Sequence, residues 1–583
     1  MIVVHVTHEA VEKIGGIGAV IAGLMNAEAY AKNVTRTVIL GPLLTTDRPV
    51  NRRLGEGGHV LYSSLDAVDR PPWREKFRPI ERTHDCGIIY GTRRVDDPCT
   101  GRSVKAEVVL VDVFHANQHR LNLFKYELFK KFNVPSDRFQ HIWEYEEYVR
   151  LAEPGYEALK AIGCVNGEEL VILAHEYMGM PTALKAVMDG SPCTRTVFYA
   201  HEVASVRPIV EAARGNDTLF YNVLAAAEKE QRTIEDVFPS VHENYKHPLV
   251  KAARYCDHVF AVGDYVESEL RFLDPHFRTQ AIELVYNGIP AEPMTELAKQ
   301  ASLDRMKDYA NALVGYHPTW IFTHVCRPVA SKGIWHDLEV LHELEGLLKA
   351  RGESAVYFLL GTLAGQRRSQ DIRHMEKVYG WPVNHEKGYP DLCGGEEGLG
   401  DMFAQFNRDH SAVQAVFVNQ WDWSRRFCGD RMSEDMTFQD VRAGTHVEFG
   451  LSTYEPYGIA QFEPLGFGGL CVVTNVCGCA GFARCVAGDE DVSGNILQAD
   501  YLQLDGPMTV DQILHTPYEQ REAVEWAEAK RIAGLIADRL PRDLETLRAR
   551  VKSGFELASR MSWEKVVEDF FLPSLKKTVK NNK

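Results

Sequence analysis

The segment "YEPYGIAQFEPLGFGG" (Tyr454 to Gly469) sets two carboxylates, Glu455 and Glu463, among apolar and glycine residues with seven residues between them. Desolvating an unpaired carboxylate is costly, so each needs a partner with hydrogen-bond donors: the protein itself, or a polyhydroxylated ligand. Tyr457 and Gly458 share that loop, and the glycine leaves room for a ligand to approach backbone N–H groups. A second group is "HVCRPVASKGI", where Arg327 and Lys332 stand five apart after a strand-like run. A guanidinium beside an ammonium suits a diphosphate; the alternative is two solvated surface cations. In "EKIGGIGAVIAGL", Gly15 and Gly16 precede a helical pattern that starts near Ile17, with Lys13 beside them. Unused N–H groups and the helix dipole there would favour an anion; the alternative is a tight loop whose glycines serve geometry alone. Finally, "ILAHEYMGMP" and "VFYAHEVAS" place His175-Glu176 and His201-Glu202 after buried-looking strands, either as a sugar-binding lip or as structural hydrogen-bonders.

Residues so scattered can meet only if the elements carrying them share a sheet. Short apolar runs alternate with helical patterns throughout: "MIVVHV", "RTVILG", "GIIYGT", "EVVLVDV", "LVILAHE", "RTVFYAHE", "HVFAVG" and "IELVYNG" in the first half. "WIFTHV", "VYFLLG", "QAVFVNQ", "HVEFGLS" and "LCVVTNV" follow in the second. Such a pattern predicts an α/β protein with two doubly wound parallel sheets, each covered on both faces. Ligands of such sheets sit beyond the carboxyl ends of the strands, where these motifs fall. The stretch from Asn287 to His317 is the natural boundary, dividing the chain into 1–300, 301–555 and a final helix with a basic tail at 556–583, read as a solvated end. Residues 208–250, charged and helical in pattern, and 363–445, with "DLCGGEEGLGD" and "NQWDWSRRFCGD", do not fit a minimal sheet; 363–445 is read as an insertion in the second domain.

At 583 residues the chain exceeds one compact core, and 45% hydrophobic with 25% charged residues fits a globular protein. A net charge of −16 argues against nucleic acid or an anionic membrane as partner. Twelve scattered cysteines read as reduced thiols in a cytoplasmic protein. Cys471, Cys477, Cys479 and Cys485 lack the paired spacing of zinc sites and read as small core-lining residues. The opening "MIVVHV" has neither the basic region nor the cleavage site of a signal peptide, and no run of eighteen apolar residues exists to span a membrane. Nothing here opposes a homo-oligomer.

Taken together, Lys13 with Gly15-Gly16, His201, Arg327 with Lys332, and Glu455 with Glu463 resemble the pattern of retaining glycosyltransferases of the GT-B fold. Within that superfamily the similarity is to glycogen synthases. "EKIGGIGAVI" resembles their K-x-G-G opening, and "AHEYMG" with "RTVFYAHE" their paired strand ends. "YEPYGIAQFEP…GGLCVVTNVCG" is similar to the animal and fungal type, which uses UDP-glucose; the ADP-glucose type generally lacks the second glutamate. The resemblance spans most of the chain as anchors; the insertion and the sequence after His201 depart from it.

The resemblance implies transfer of glucose from a nucleotide sugar, UDP-glucose favoured, to the non-reducing end of an α-1,4-glucan. Arg327, Lys332 and Lys13, with the helix at Gly15-Gly16, would hold the diphosphate. Glu455 would orient the donor sugar, with Tyr457 and Gly458 lining the donor site, and Glu463 would take the ribose hydroxyls. His201 would lie near the reacting centre, and His175 with Glu176 on the sugar or acceptor side. Both glutamates would then find their donors on the ligand. No metal or other cofactor is expected, the family relying on protein cations; the two domains would close over the donor, and the last helix would cross back to the first. A small acceptor, as in sucrose synthase, or an ADP-glucose donor are the alternatives within the fold. An NAD-dependent dehydrogenase is opposed by the eight residues between "HVT" and Gly16 and by the missing acidic residue after "RTVILG". A non-catalytic glucan binder would use Trp421 and Trp423 as a stacking platform.

Overall fold

The structure, a computed structural model, describes all residues except 13, 98–100, 489, 505 and 581–583. Among the described residues the first sheet has nine strands: β1 (Ile2–Val6), β2 (Arg36–Pro42), β3 (His59–Ser63), β4 (Gly87–Asp96), β5 (Ser103–Asp112), β6 (Leu170–His175), β7 (Thr194–Ala200), β8 (His258–Ala261) and β9 (Ile282–Leu284). Their order is β3-β4-β5-β2-β1-β6-β7-β8-β9, so the winding reverses between β1 and β6. The second has six, all parallel: β10 (Trp320–Val325), β11 (Ala355–Leu360), β12 (Val413–Val418), β13 (Val447–Gly450), β14 (Leu470–Thr474) and β15 (Ile496–Ala499). Their order is β12-β11-β10-β13-β14-β15, reversing between β10 and β13. Strand order reverses where a crevice opens at the strands' carboxyl ends.

Every strand read from the sequence is present, and alternate residues feed cores on opposite faces of the second sheet. Phe322, Tyr357 and Ala415 pack on one side, Ile321, Phe358 and Val416 on the other. The first sheet departs from the expected all-parallel form, because β3-β4-β5 are antiparallel. Only six residues separate Asp96 from Ser103, too few for a parallel crossover. β3 and β15 add to the expected set; both are edge strands whose short segments "HVLYS" and "ILQA" give little apolar signal.

The chain divides into two compact units: 1–208, 227–288 and the segment from Trp563 on form the first, and 209–226 with 289–562 the second. Helix Glu296–Val314, straddling the expected boundary at 300, belongs to the second because Met306 and Tyr309 enter its core and Lys299 Nζ donates to the Ala443 carbonyl at 2.9 Å. The final segment returns to the first unit, as the expected crossing helix does. Glu564 accepts hydrogen bonds from the N–H groups of Glu28 and Ala29, and Phe571 stacks on Tyr30 with ring centroids 5.9 Å apart. Residues 363–445 supply β12, and Arg367 and Glu396 form a buried ion pair there. Trp423 is wholly buried in that core whereas Trp421 is half exposed, so the two form no stacking platform. Cys471, Cys477 and Cys479 are buried as expected; Cys485 is exposed.

Candidate functional site

In the second unit, the loops after β10 and β13 flank the point where strand order reverses. The first runs from Arg327 through a 3-10 turn, Ala330–Lys332, into helix Ile334–Lys349. The second holds Glu455, turns at Gly458 (φ 92°), and continues as a short helix, Ile459–Phe462, and a 3-10 turn, Glu463–Phe467. The Ser331 carbonyl accepts from the N–H groups of Thr453 (2.8 Å) and Tyr454 (3.2 Å), stitching one loop to the other. At Gly333, with φ of 57°, an added Cβ would stand 2.1 Å from the Leu451 carbonyl oxygen.

This stitching brings Lys332 Nζ onto Oε2 of Glu455, where Gln461 Nε2 also donates at 3.3 Å. Arg442 Nε lies 3.3 Å from Oε2 of Glu463, and Arg442 Nη2 lies 2.9 Å from Oε2 of Glu448. Each of the two loop glutamates therefore has a protein partner, which corrects the expectation that both find their donors only on a ligand. These contacts fall on Oε2 of each carboxylate. Arg327 is exposed and makes no side-chain hydrogen bond or ion pair among the described residues. An unpaired cation beside a Lys–Glu pair leaves net positive charge at the carboxyl end of β10, suited to an anion.

Arg442, Gln461 and Glu448 escaped the sequence reading. The signal was Glu448 itself, a charge inside the apolar strand "HVEFG", which had to have a partner. Burial raises its carboxyl above the usual range despite Arg442. Tyr457 lies in the same loop, its carbonyl accepting from the N–H of Cys479 at 2.8 Å, while Gly478 N donates to the Glu455 carbonyl at 3.2 Å. The start of helix Gly478–Ala487 thus anchors the loop.

In the first unit, strand order reverses at β1 and β6. Helix Ile17–Asn26 begins after Gly15-Gly16 as expected, but N–H groups of its first turn already have an acceptor in the chain. The buried Glu9 carboxylate accepts from Ile14 N (3.3 Å), Ile17 N (3.2 Å) and Gly18 N (3.1 Å). An anion is favoured at that helix end, and the Glu9 carboxylate supplies one to the N–H groups of Ile17 and Gly18, two of those expected to face a diphosphate. Gly15 is confined by the same carboxylate, its added Cβ falling 3.1 Å from Glu9 Oε1. Lys13 lies outside the described residues.

The paired strand ends do converge. His175 Nδ1 and His201 Nε2 are 2.8 Å apart with stacked rings, and His175 Nε2 lies 2.9 Å from His5 Nδ1 on β1. Both ring nitrogens of His175 are so engaged on a fully buried side chain, which supports His201 and offers no lip of its own. Glu176, at φ of 60°, adopts the left-handed region uncommon for a non-glycine residue. Its Oε1 accepts from Glu202 N at 2.6 Å, and it too is buried, holding the His201-Glu202 turn. Burial, then the charge of Glu202, pushes the Glu176 carboxyl well above the usual range. Burial lowers His5 and His201 to about 3 and His175 well below the ordinary imidazole value.

No family model matches the chain, and no curated protein matches it. Solved structures do. The catalytic domain of starch synthase IV from Arabidopsis thaliana, bound to ADP and acarbose, aligns over 100% of this chain and 99% of its own at 13% identity with a TM-score of 0.53. A trehalose-6-phosphate structure from E. coli with UDP-2-fluoro glucose aligns over 100% and 99% at 11% identity, TM-score 0.49. Sucrose-phosphate synthase from Thermosynechococcus elongatus aligns over 99% and 98% at 12% identity, TM-score 0.48. The architecture shared with the starch synthase domain is the GT-B fold, and in this chain the candidate residues lie by the strand-order reversals of its two α/β units.

Proposed function

We propose that this chain is a retaining glycosyltransferase that moves glucose from a nucleotide sugar, UDP-glucose favoured, to the non-reducing end of an α-1,4-glucan. The observation that carries the reading is the unpaired Arg327 beside the Lys332–Glu455 pair, at the strand-order reversal of a GT-B unit. Departure of a nucleoside diphosphate builds negative charge on its phosphates while the anomeric carbon becomes oxocarbenium-like. Arg327 and Lys332 hold that negative charge. As Lys332 turns to phosphate, Glu455 is released to accept hydroxyls of the donor sugar, and Glu463 takes the ribose. His201 in the first unit contacts the donor sugar. The acceptor hydroxyl attacks from the face that the diphosphate leaves, and the leaving phosphate oxygen takes its proton, so configuration is retained.

ADP and acarbose on the starch synthase support a nucleoside diphosphate and a glucan-like acceptor, and keep ADP-glucose as the second donor to test. The test is nucleotide release from a panel of NDP-sugars with and without glycogen. Arg327→Ala should lower kcat by about 10²–10³-fold, as loss of one preorganised charge donor does, with an unchanged unfolding curve. Full activity in that variant, or no nucleotide release from any donor, would sink the reading.

A further inference from the structure

Beyond His201, a continuous line of hydrogen bonds runs into the first unit. His201 Nε2 meets His175 Nδ1 at 2.8 Å, and His175 Nε2 meets His5 Nδ1 at 2.9 Å. His5 Nε2 meets the Tyr30 hydroxyl at 3.2 Å, and that hydroxyl meets Thr37 Oγ1 at 3.0 Å. The residues come from β1, β2, β6, the turn after β7 and the helix Glu28–Asn33, and Phe571 packs on the Tyr30 ring. Nδ1 of the half-buried His201 has no hydrogen bond among the described residues.

A neutral imidazole carries one N–H, so each contact holds one proton and all contacts in the line must point the same way. Two patterns are possible. In one, Thr37 donates to Tyr30, Tyr30 to His5, His5 to His175 and His175 to His201, leaving Nδ1–H of His201 to face outward. In the other every proton is reversed, and His201 presents a bare Nδ1. The phenol is a stronger acid than a neutral imidazole N–H, and the imidazole nitrogen a stronger base than the phenol oxygen, so O–H···N is the better bond at the Tyr30–His5 step. The first pattern leaves only the Nδ1–H of His201 without an acceptor in the line, at its half-buried end. The second leaves the Thr37 hydroxyl proton without one among the described residues.

We propose that Tyr30, His5 and His175 are positioning residues that lock His201 as an Nδ1–H donor, so that it meets the ligand by giving a hydrogen bond to a sugar hydroxyl or phosphate oxygen. The catalytic consequence rests on the reading of His201 as a donor-sugar contact; the proton arrangement does not. Burial keeps the three imidazoles neutral, with His8, Glu176, Glu202 and Lys246 the charged or titratable neighbours. The relay therefore gives His201 the same face at any pH where the protein is folded and working.

The test is nitrogen NMR of the full chain with ¹⁵N-labelled histidine, the His201 signals being assigned by their loss in His201→Gln. The expected result is a protonated Nδ1 and a bare Nε2 at His201, and the opposite tautomer in a measurable fraction of Tyr30→Phe. In nucleotide release, Tyr30→Phe should lower kcat about tenfold, the worth of one ordinary hydrogen bond, with donor KM little changed. His175→Gln, whose amide N–H still donates to His201 Nε2, should keep the wild-type tautomer and most of the activity, unlike His175→Leu. A protonated Nε2 or an imidazolium at His201 in the wild-type protein overturns the proposal whatever the activity. Full transfer by His201→Ala would instead defeat the donor-contact reading while leaving the NMR result standing.

Discussion

Arg442 sits between two carboxylates, the fully buried Glu448 of β13 and the partly exposed Glu463 of the loop beyond it. Removing one partner of a buried ion pair leaves an uncompensated charge, which costs far more than the pair contributes. Arg442→Met should therefore destabilise the protein by about 3–5 kcal/mol in urea denaturation, and adding Glu448→Gln should recover much of that. A loss below about 1 kcal/mol would show that the pair is as replaceable as a surface one. Arg327 is the opposite case: with no partner to strand, its loss should leave stability alone and be felt only in activity. Residue types made Arg327, Lys332, Glu455 and His201 legible as candidates. Whether a cation was already neutralised was not, because that depends on which distant side chain packs against it.

Helix starts and loop crossings carry the next level of specificity. The loops after β10 and β13 press together at Gly333, which combines φ of 57° with a carbonyl oxygen 2.1 Å from where a Cβ would stand. Gly333→Ala should cost about 1–3 kcal/mol and shift Lys332 from Glu455, lowering nucleotide release with it. Gly16→Ala is the contrast, since an added Cβ there meets nothing within 4 Å. Its effect on stability should stay within about 0.5 kcal/mol. Equal thermal shifts for the two variants would contradict this account of the loop contact. A strand-loop-helix with glycines was readable from "EKIGGIG", yet the occupant of that helix end was not. Glu9 precedes Ile17 by eight positions and reaches its N–H only because the intervening loop folds back.

Across the whole molecule, acid stability follows from the buried imidazoles of the first unit. Each titrates near pH ~6.5 in the unfolded chain, whereas His5 and His201 sit at about 3 when folded and His175 well below its ordinary value. Below pH ~6.5 the unfolded state takes protons that the folded state refuses, so stability is fully present above that value. It falls toward pH ~3, at up to roughly 1.4 kcal/mol per pH unit for each histidine. Unfolding free energies measured between pH 7 and 4 should show this slope, reduced in His5→Phe; a flat profile would contradict it. The C-terminal segment belongs to the same unit, so Phe571→Ala, which empties a buried site against Tyr30 and Phe260, should cost about 3–5 kcal/mol.

From its residues alone, the chain determined two α/β units, the strands that build their sheets and the loops that carry the candidate chemistry. Hydrophobic runs and glycine turns are local, and period and length report them directly. Tertiary structure alone decided that β3-β4-β5 turn antiparallel, that Ile209–Ala226 packs with the second unit, and that Glu9 fills the helix end. It also decided that Lys332, Gln461 and Arg442 hold the two loop glutamates and that His5 stands behind His175. These are pairings between groups far apart in sequence, and no local pattern encodes which donor a desolvated acceptor will meet.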